Sequence, residues 1–133
     1  MKYITGMQAL NLPCSLNTSG DWHQSSISWS ELDMRESVGS FFGNYGIELN
    51  SCIPNSTGVF YVANHIRALL DLLFEEKYSL AQGMRKDFIC TNEYNNEIFE
   101  KVSTMKILPY WENINNFMIK EYKMLWLSYK GGC

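Results

Sequence analysis

The chain has 133 residues, 46% hydrophobic and 19% charged, with a net charge of -3 and a pI near 5.3. That balance suits a single domain, residues 1–133, with a core of its own, and excludes a disordered, collagen-like or coiled-coil chain. The mild acidity also argues against a dedicated nucleic-acid binder, whose hold on phosphate comes from clustered Lys and Arg.

In chain order, Lys2 to Leu12 opens with the β-formers Tyr3, Ile4 and Thr5 in an apolar run closed by Pro13, and predicts a first strand. Asn17 to His23, NTSGDWH, is turn chemistry, because these small polar residues tolerate positive φ or bond their own backbone. Trp22, just after the turn, is placed to anchor it or to wall a pocket. Ser26 to Trp29 reads as a short second strand and Ser30 to Asp33 as a capped helical turn. Ser40 to Leu49 alternates aromatics with Gly43 and Gly46, as strands around a turn or bulge do.

Asn50 to Gly58 is again a turn. It resembles the first one: Cys14 to Gly20 and Cys52 to Gly58 share Cys-x-x-Asn, two hydroxyl residues and Gly, at an offset of 38. Two copies fall short of the three that a solenoid requires.

Val59 to Glu76, VFYVANHIRALLDLLFEE, predicts the central helix. Val62, Ile66, Leu69, Leu70 and Leu73 fall on one face at the helical period, and burying each contributes about 1.5–3 kcal/mol. Lys77 to Cys90 holds a short amphipathic piece broken by Gly83, then an apolar Phe88-Ile89-Cys90 that reads as a strand or buried turn. Glu93 to Leu108 predicts a second helix, N-capped by Thr91 or Asn92 and stopped by Pro109. Asn113 to Tyr129 predicts a third, ending at Lys130-Gly131-Gly132, although Leu125, Leu127 and Tyr129 also alternate as in a strand. The expected architecture is α+β: a short N-terminal β-sheet packed against about three C-terminal helices.

MKYITGMQALNLPC lacks the charged and apolar regions of a secretory signal, and no apolar run approaches the length of a membrane span, so a cytoplasmic protein with no membrane contact is expected. Cys14, Cys52, Cys90 and Cys133 then read as reduced thiols. Charge is uneven: residues 1–58 hold two basic residues against five acidic ones, and the remainder nine against nine. Lys and Glu alternate over the helical half, the pattern of a salt-bridged surface more than of a nucleic-acid stripe.

Asp21-Trp22-His23, with Asn17 and Thr18, is the densest chemical constellation. Asp21 can orient an imidazole, and His65, beside Asn64 and Arg67, supplies a second one; together they suggest a general acid–base site, catalytic in His23, His65 and Asp21. Neither C-x-x-C nor H-x-x-x-H occurs, so no metal and no cofactor are expected. A Cys–His nucleophilic pair is spatial rather than sequential, and no cysteine here has a sequence context that marks one. Four Trp and eight Tyr exceed what one small core needs. Such residues serve as anchors on protein-binding surfaces, and Trp22, Trp29 and Tyr45, with Asn17, Asn64 and Arg67, are the candidate binding residues.

Taken together, MKYITG, the NTSGDWH turn and the YVANHIRALLDLL helix resemble a family of small bacterial proteins associated with phage and mobile elements. The resemblance carries no catalytic assignment. By analogy it implies an antitoxin or an inhibitor of host defence, of the anti-CRISPR type. The expected function is therefore a binding protein that neutralises a larger protein or ribonucleoprotein partner, with a homodimer as a further possibility. The alternative is a small hydrolase or nuclease built on the His/Asp site.

Overall fold

The computed structural model describes residues 1–21 and 27–131. Four short strands form one mixed sheet in the order β2-β1-β4-β3. β1 (Lys2–Ile4) runs antiparallel to β2 (Met34–Glu36) and parallel to β4 (Phe60–Ala63), which pairs antiparallel with β3 (Ile47–Asn50). The helices are α1 (Gly6–Leu10), α2 (His65–Phe74), α3 (Tyr78–Ala81), α4 (Asn95–Ser103), α5 (Trp111–Tyr122) and α6 (Met124–Gly131), with a π-helical turn over Met84–Ile89 and a 3-10 turn over Thr104–Ile107. The class is α+β as expected, with more helices than three.

Several expected boundaries move, each for a local reason. The first strand stops at Ile4, and Gly6, at φ +67, turns the chain into α1. There the buried Gln8 donates to the carbonyls of Ser28 and Glu31 and accepts from the Asp33 amide, pinning an irregular 27–33 segment where a strand and a capped turn were expected. The expected central helix begins only at His65. Phe60 to Ala63 is a strand between β1 and β3, and Asn64, in extended backbone, is the N-cap, its side chain accepting the Arg67 amide at 2.8 Å. Val62 satisfies a helical and a strand pattern alike, and two neighbouring strands decide between them.

Of the strand or buried turn expected at Phe88 and Ile89, the structure has the buried turn, π-helical in form. The last long helix is interrupted at Lys123, whose φ of 54 and ψ of -125 divide α5 from α6. The two similar turns share a left-handed Asn17 and Asn55, but one closes from the Asn17 amide to the Cys14 carbonyl and the other from Ser56 to Ile53.

The core runs from Tyr3 and Ile4 through Ile66, Leu69, Leu70 and Leu73 to Ile98, Val102, Ile114, Met118 and Trp126, all buried. Its C-terminal part is aromatic: Phe99 makes edge contacts with Tyr122, Trp126 and Tyr129, and Trp126 donates to Asn115 at 2.9 Å. Among the described residues no helix is long and apolar enough to cross a membrane.

Candidate functional site

His65 opens α2, and both of its ring nitrogens are held. Nε2 lies 2.7 Å from the Leu12 carbonyl, which can only accept, so Nε2 carries a proton. Nδ1 lies 2.5 Å from Thr18 Oγ1, which in turn lies 3.6 Å from Cys14 Sγ. Thiol, hydroxyl and imidazole thus meet at a cavity of about 490 Å³ lined also by Leu10 to Pro13 and by Asn17 and Ser19.

The loop that carries Cys14 and Thr18 is fixed from three directions. Asn17, at φ 58, lets its amide close on the Cys14 carbonyl at 3.2 Å, a conformation that Asn adopts more easily than most residues. From β3, Glu48 accepts the Ser15 amide at 2.8 Å and hydroxyl at 2.6 Å, and Asn50 donates to the Pro13 carbonyl at 2.8 Å. Gly20 then passes directly over the imidazole. Its φ is +72, and a Cβ there would fall 2.3 Å from the Leu10 carbonyl and 2.9 Å from His65 Cε1, so only glycine fits.

Burial pushes the Cys14 thiol up, but hydrogen bonding to His65, the charge of that ring and the Thr18 hydroxyl outweigh it and hold the thiol down to about 7. On His65 burial acts downward, and it is overcome by the hydrogen bond and charge of Cys14, the Leu12 carbonyl and Glu48, so the imidazole is raised. The two shifts are coupled: each group favours the charged form of the other.

The structure gathers the predicted residues only in part. Asn17 and His65 share the cavity. Asp21 accepts from Asn11 Nδ2 at 3.0 Å, and its amide donates to the Leu10 carbonyl. Trp22 and His23 lie outside the described residues. The groups brought to the His65 ring are therefore the Leu12 carbonyl, Thr18 and Cys14. Cys14 was not singled out in the sequence, where its one signal is a cysteine four residues before Thr18 within a tight turn.

The candidate binding residues are largely engaged inside the molecule. Arg67 is fully buried: Nε donates to Asp71, Nη1 to the carbonyls of Gly43 and Tyr45, and Nη2 to Tyr3 and Ser40, while the rings of Tyr3 and Phe42 lie over its guanidinium. Asn64 caps α2. The Tyr45 hydroxyl donates to Glu97 and its ring meets the Lys101 ammonium at 4.3 Å. Trp29 is half-buried and packs on the core. Among the described residues no group of three His, Cys, Asp or Glu could hold a metal ion.

The sheet leaves a mixed aliphatic and aromatic pair open. Leu49 is 64% exposed and sits directly opposite Tyr61, 42% exposed, in the β3–β4 register, so the two share a face; Val59, 62% exposed, adjoins them. Set against family models, curated proteins and solved structures, the chain matches none of them.

Proposed function

We propose that the chain is a binding protein that neutralises a larger protein partner by occluding it, through the outer end of its sheet. The observation that carries this reading is the Leu49–Tyr61 pair. Two apolar side chains, opposed across β3 and β4, stay in water, as does Val59 just before β4. β3 is also the outermost strand of its side of the sheet, and such an edge can accept a strand from a partner while neighbouring side chains supply specificity.

The anchors differ from those the sequence suggested. Trp111, Tyr122 and Tyr129 pack around Phe99 and Trp126, and four of the five carboxylates of the first half are engaged: Asp33 and Glu36 in ion pairs, Glu48 with Ser15, Asp21 with Asn11. Recognition therefore rests on apolar burial more than on an acidic face.

The test is capture from native-host lysate by the tagged chain, with and without nuclease, comparing wild type with a Leu49→Asp, Tyr61→Asp double variant whose fold is checked by circular dichroism. A stoichiometric protein, retained after nuclease and lost with the variant, is the expected result. Equal capture by the folded variant, or no stoichiometric partner for wild type, sinks the reading. Capture that vanishes with nuclease moves the partner to a ribonucleoprotein, and a wild-type dimer that the variant makes monomeric makes this face a homodimer seam.

A further inference from the structure

We infer that Cys14 is a nucleophile, with His65 as its base, and that the adjoining cavity takes a neutral acyl ester whose acyl group passes to the Cys14 sulfur. Four observations converge on it: a half-buried thiol, an imidazole at the same cavity, a hydroxyl touching both, and a backbone carbonyl that orients the far nitrogen of the ring. That is the general anatomy of an activated nucleophile, in which a base sits beside the nucleophile and a third group orients the base.

Each partner has a distinct role. The Leu12 carbonyl keeps the proton on Nε2, which leaves Nδ1 to accept from the Thr18 hydroxyl and, through that hydroxyl, to receive the proton of the thiol. Thr18 is a positioning residue: its Oγ1 lies 2.5 Å from Nδ1 and 3.6 Å from Sγ, so one hydroxyl holds ring and sulfur in register. Gly20 closes the far side of the imidazole, because any side chain there would collide with the ring. Cys52 and Cys90 have no such setting. Cys52 is exposed, and Cys90 Sγ donates to the Lys86 carbonyl at 2.8 Å.

The cavity walls select the class of ligand. Leu10, Leu12 and Pro13 are apolar, Asn11, Asn17, Thr18 and Ser19 are neutral hydrogen-bonding residues, and among the described residues the titratable groups on the walls are Cys14 and His65. Among the described residues no Lys or Arg lines the cavity to receive a phosphate or a carboxylate, so a neutral compound with an apolar acyl group is the fitting occupant. Around the thiol, the other titratable groups among the described residues are Glu48, which reaches the loop through Ser15, and Tyr94, whose hydroxyl donates to the Leu16 carbonyl at 2.9 Å.

The chemistry balances as hydrolysis. The thiol proton passes to His65, the sulfur adds to the ester carbonyl, and the carbon–oxygen bond breaks. The alcohol leaves with the proton from His65, and Cys14 holds the acyl group as a thioester. Water then gives a proton to His65 and attacks the thioester; the carbon–sulfur bond breaks, a carboxylic acid is released, and the returning proton restores the thiol.

The experiment uses the full chain with p-nitrophenyl acetate, following p-nitrophenolate release and locating any acetyl group by peptide mass spectrometry. In parallel, iodoacetamide labelling of Cys14 is measured across the neutral pH range, with Cys52 and Cys90 as internal standards. Acetylation at Cys14, absent in Cys14→Ser and slowed at least about 10²-fold in His65→Gln, is expected. The labelling of Cys14 should rise through a midpoint near 7, which Thr18→Val shifts upward. Acetylation that spares Cys14, that is unchanged in His65→Gln, or that proceeds equally in urea-unfolded chain overturns the inference. If His65→Gln does not fold, Thr18→Val decides: a labelling midpoint equal to that of wild type overturns it.

Discussion

Arg67 Nε donates to Asp71 Oδ1 across 2.9 Å, joining two charges one helical turn apart on α2, and the guanidinium is wholly removed from water. Tyr3 and Thr5 donate to the other carboxylate oxygen at 2.6 and 2.7 Å, so both oxygens are served. The five N–H donors of Arg67 meet five acceptors, two of them the carbonyls of Gly43 and Tyr45. β1, α2 and the turn before β3 are thereby tied at one point, and the pair is a structural device of the fold.

Removing one partner of a buried pair is costly because the other charge stays buried. Arg67→Met should lower stability by about 3–5 kcal/mol, read as a reduced urea midpoint. Arg67→Lys should recover only part of that loss, since one ammonium cannot reach five acceptors set in a fork. A loss below about 1 kcal/mol for the Met variant would show that the network is better solvated than its geometry indicates.

Gly20 and Gly39 form a matched pair for testing the loop over His65. Both have positive φ, +72 and +78, but a Cβ at Gly39 meets nothing within 4 Å whereas one at Gly20 meets the Leu10 carbonyl and the imidazole. Gly39→Ala should therefore cost only its backbone strain, about 1 kcal/mol, and Gly20→Ala clearly more. Thermal unfolding of the two variants measures the difference. Equal losses would mean that the loop moves aside freely.

Arg35 grips Glu75 with two hydrogen bonds, at 2.9 and 3.1 Å, and also pairs with Asp33. The hydrogen bond from Arg35, acting against burial and aided by Lys77, holds the Glu75 carboxyl below the usual carboxylate range. A depressed folded-state pKa stabilises the protein above the unfolded pKa, and that contribution disappears as pH falls through the folded one. Arg35→Gln should be less stable than wild type at neutral pH, by under about 1 kcal/mol because the pair is partly exposed. The gap should close on acidification in paired denaturant titrations; a gap that stays constant with pH counts against the assignment.

Legibility was greatest where one pattern had one physical reading. Ile66, Leu69, Leu70 and Leu73 belong to α2 as their spacing predicted, and all four are buried. Val62 misled, because an apolar residue four before Ile66 fits a helix while Phe60 to Ala63 equally fits a strand with partners on both sides. β2 carried little warning, since Met34, Arg35 and Glu36 acquire their strand only by pairing with Tyr3 and its neighbours. In the site, His65 and Asn17 were identifiable as chemistry-bearing residues. The importance of Cys14 was not, because the distance from residue 14 to residue 65 along the chain says nothing of their meeting.

Composition and periodicity settle properties that depend on neighbours within a turn or two: an α+β class, a helical face through Ile66, Leu69, Leu70 and Leu73, turns at Asn17 and Asn55, and enough apolar side chains for a core. Tertiary contact decided what those residues are for. Burial converted Arg67 from a candidate binding residue into an internal tie, and packing gathered Trp126 and Tyr122 around Phe99 in the core. A glycine lying on a ring brought Cys14, Thr18 and His65 to one cavity. The physical reason is that secondary structure follows short-range sterics and alternation, whereas desolvation, the shift of a thiol and the exposure of Leu49 are set by atoms that arrive from distant parts of the chain.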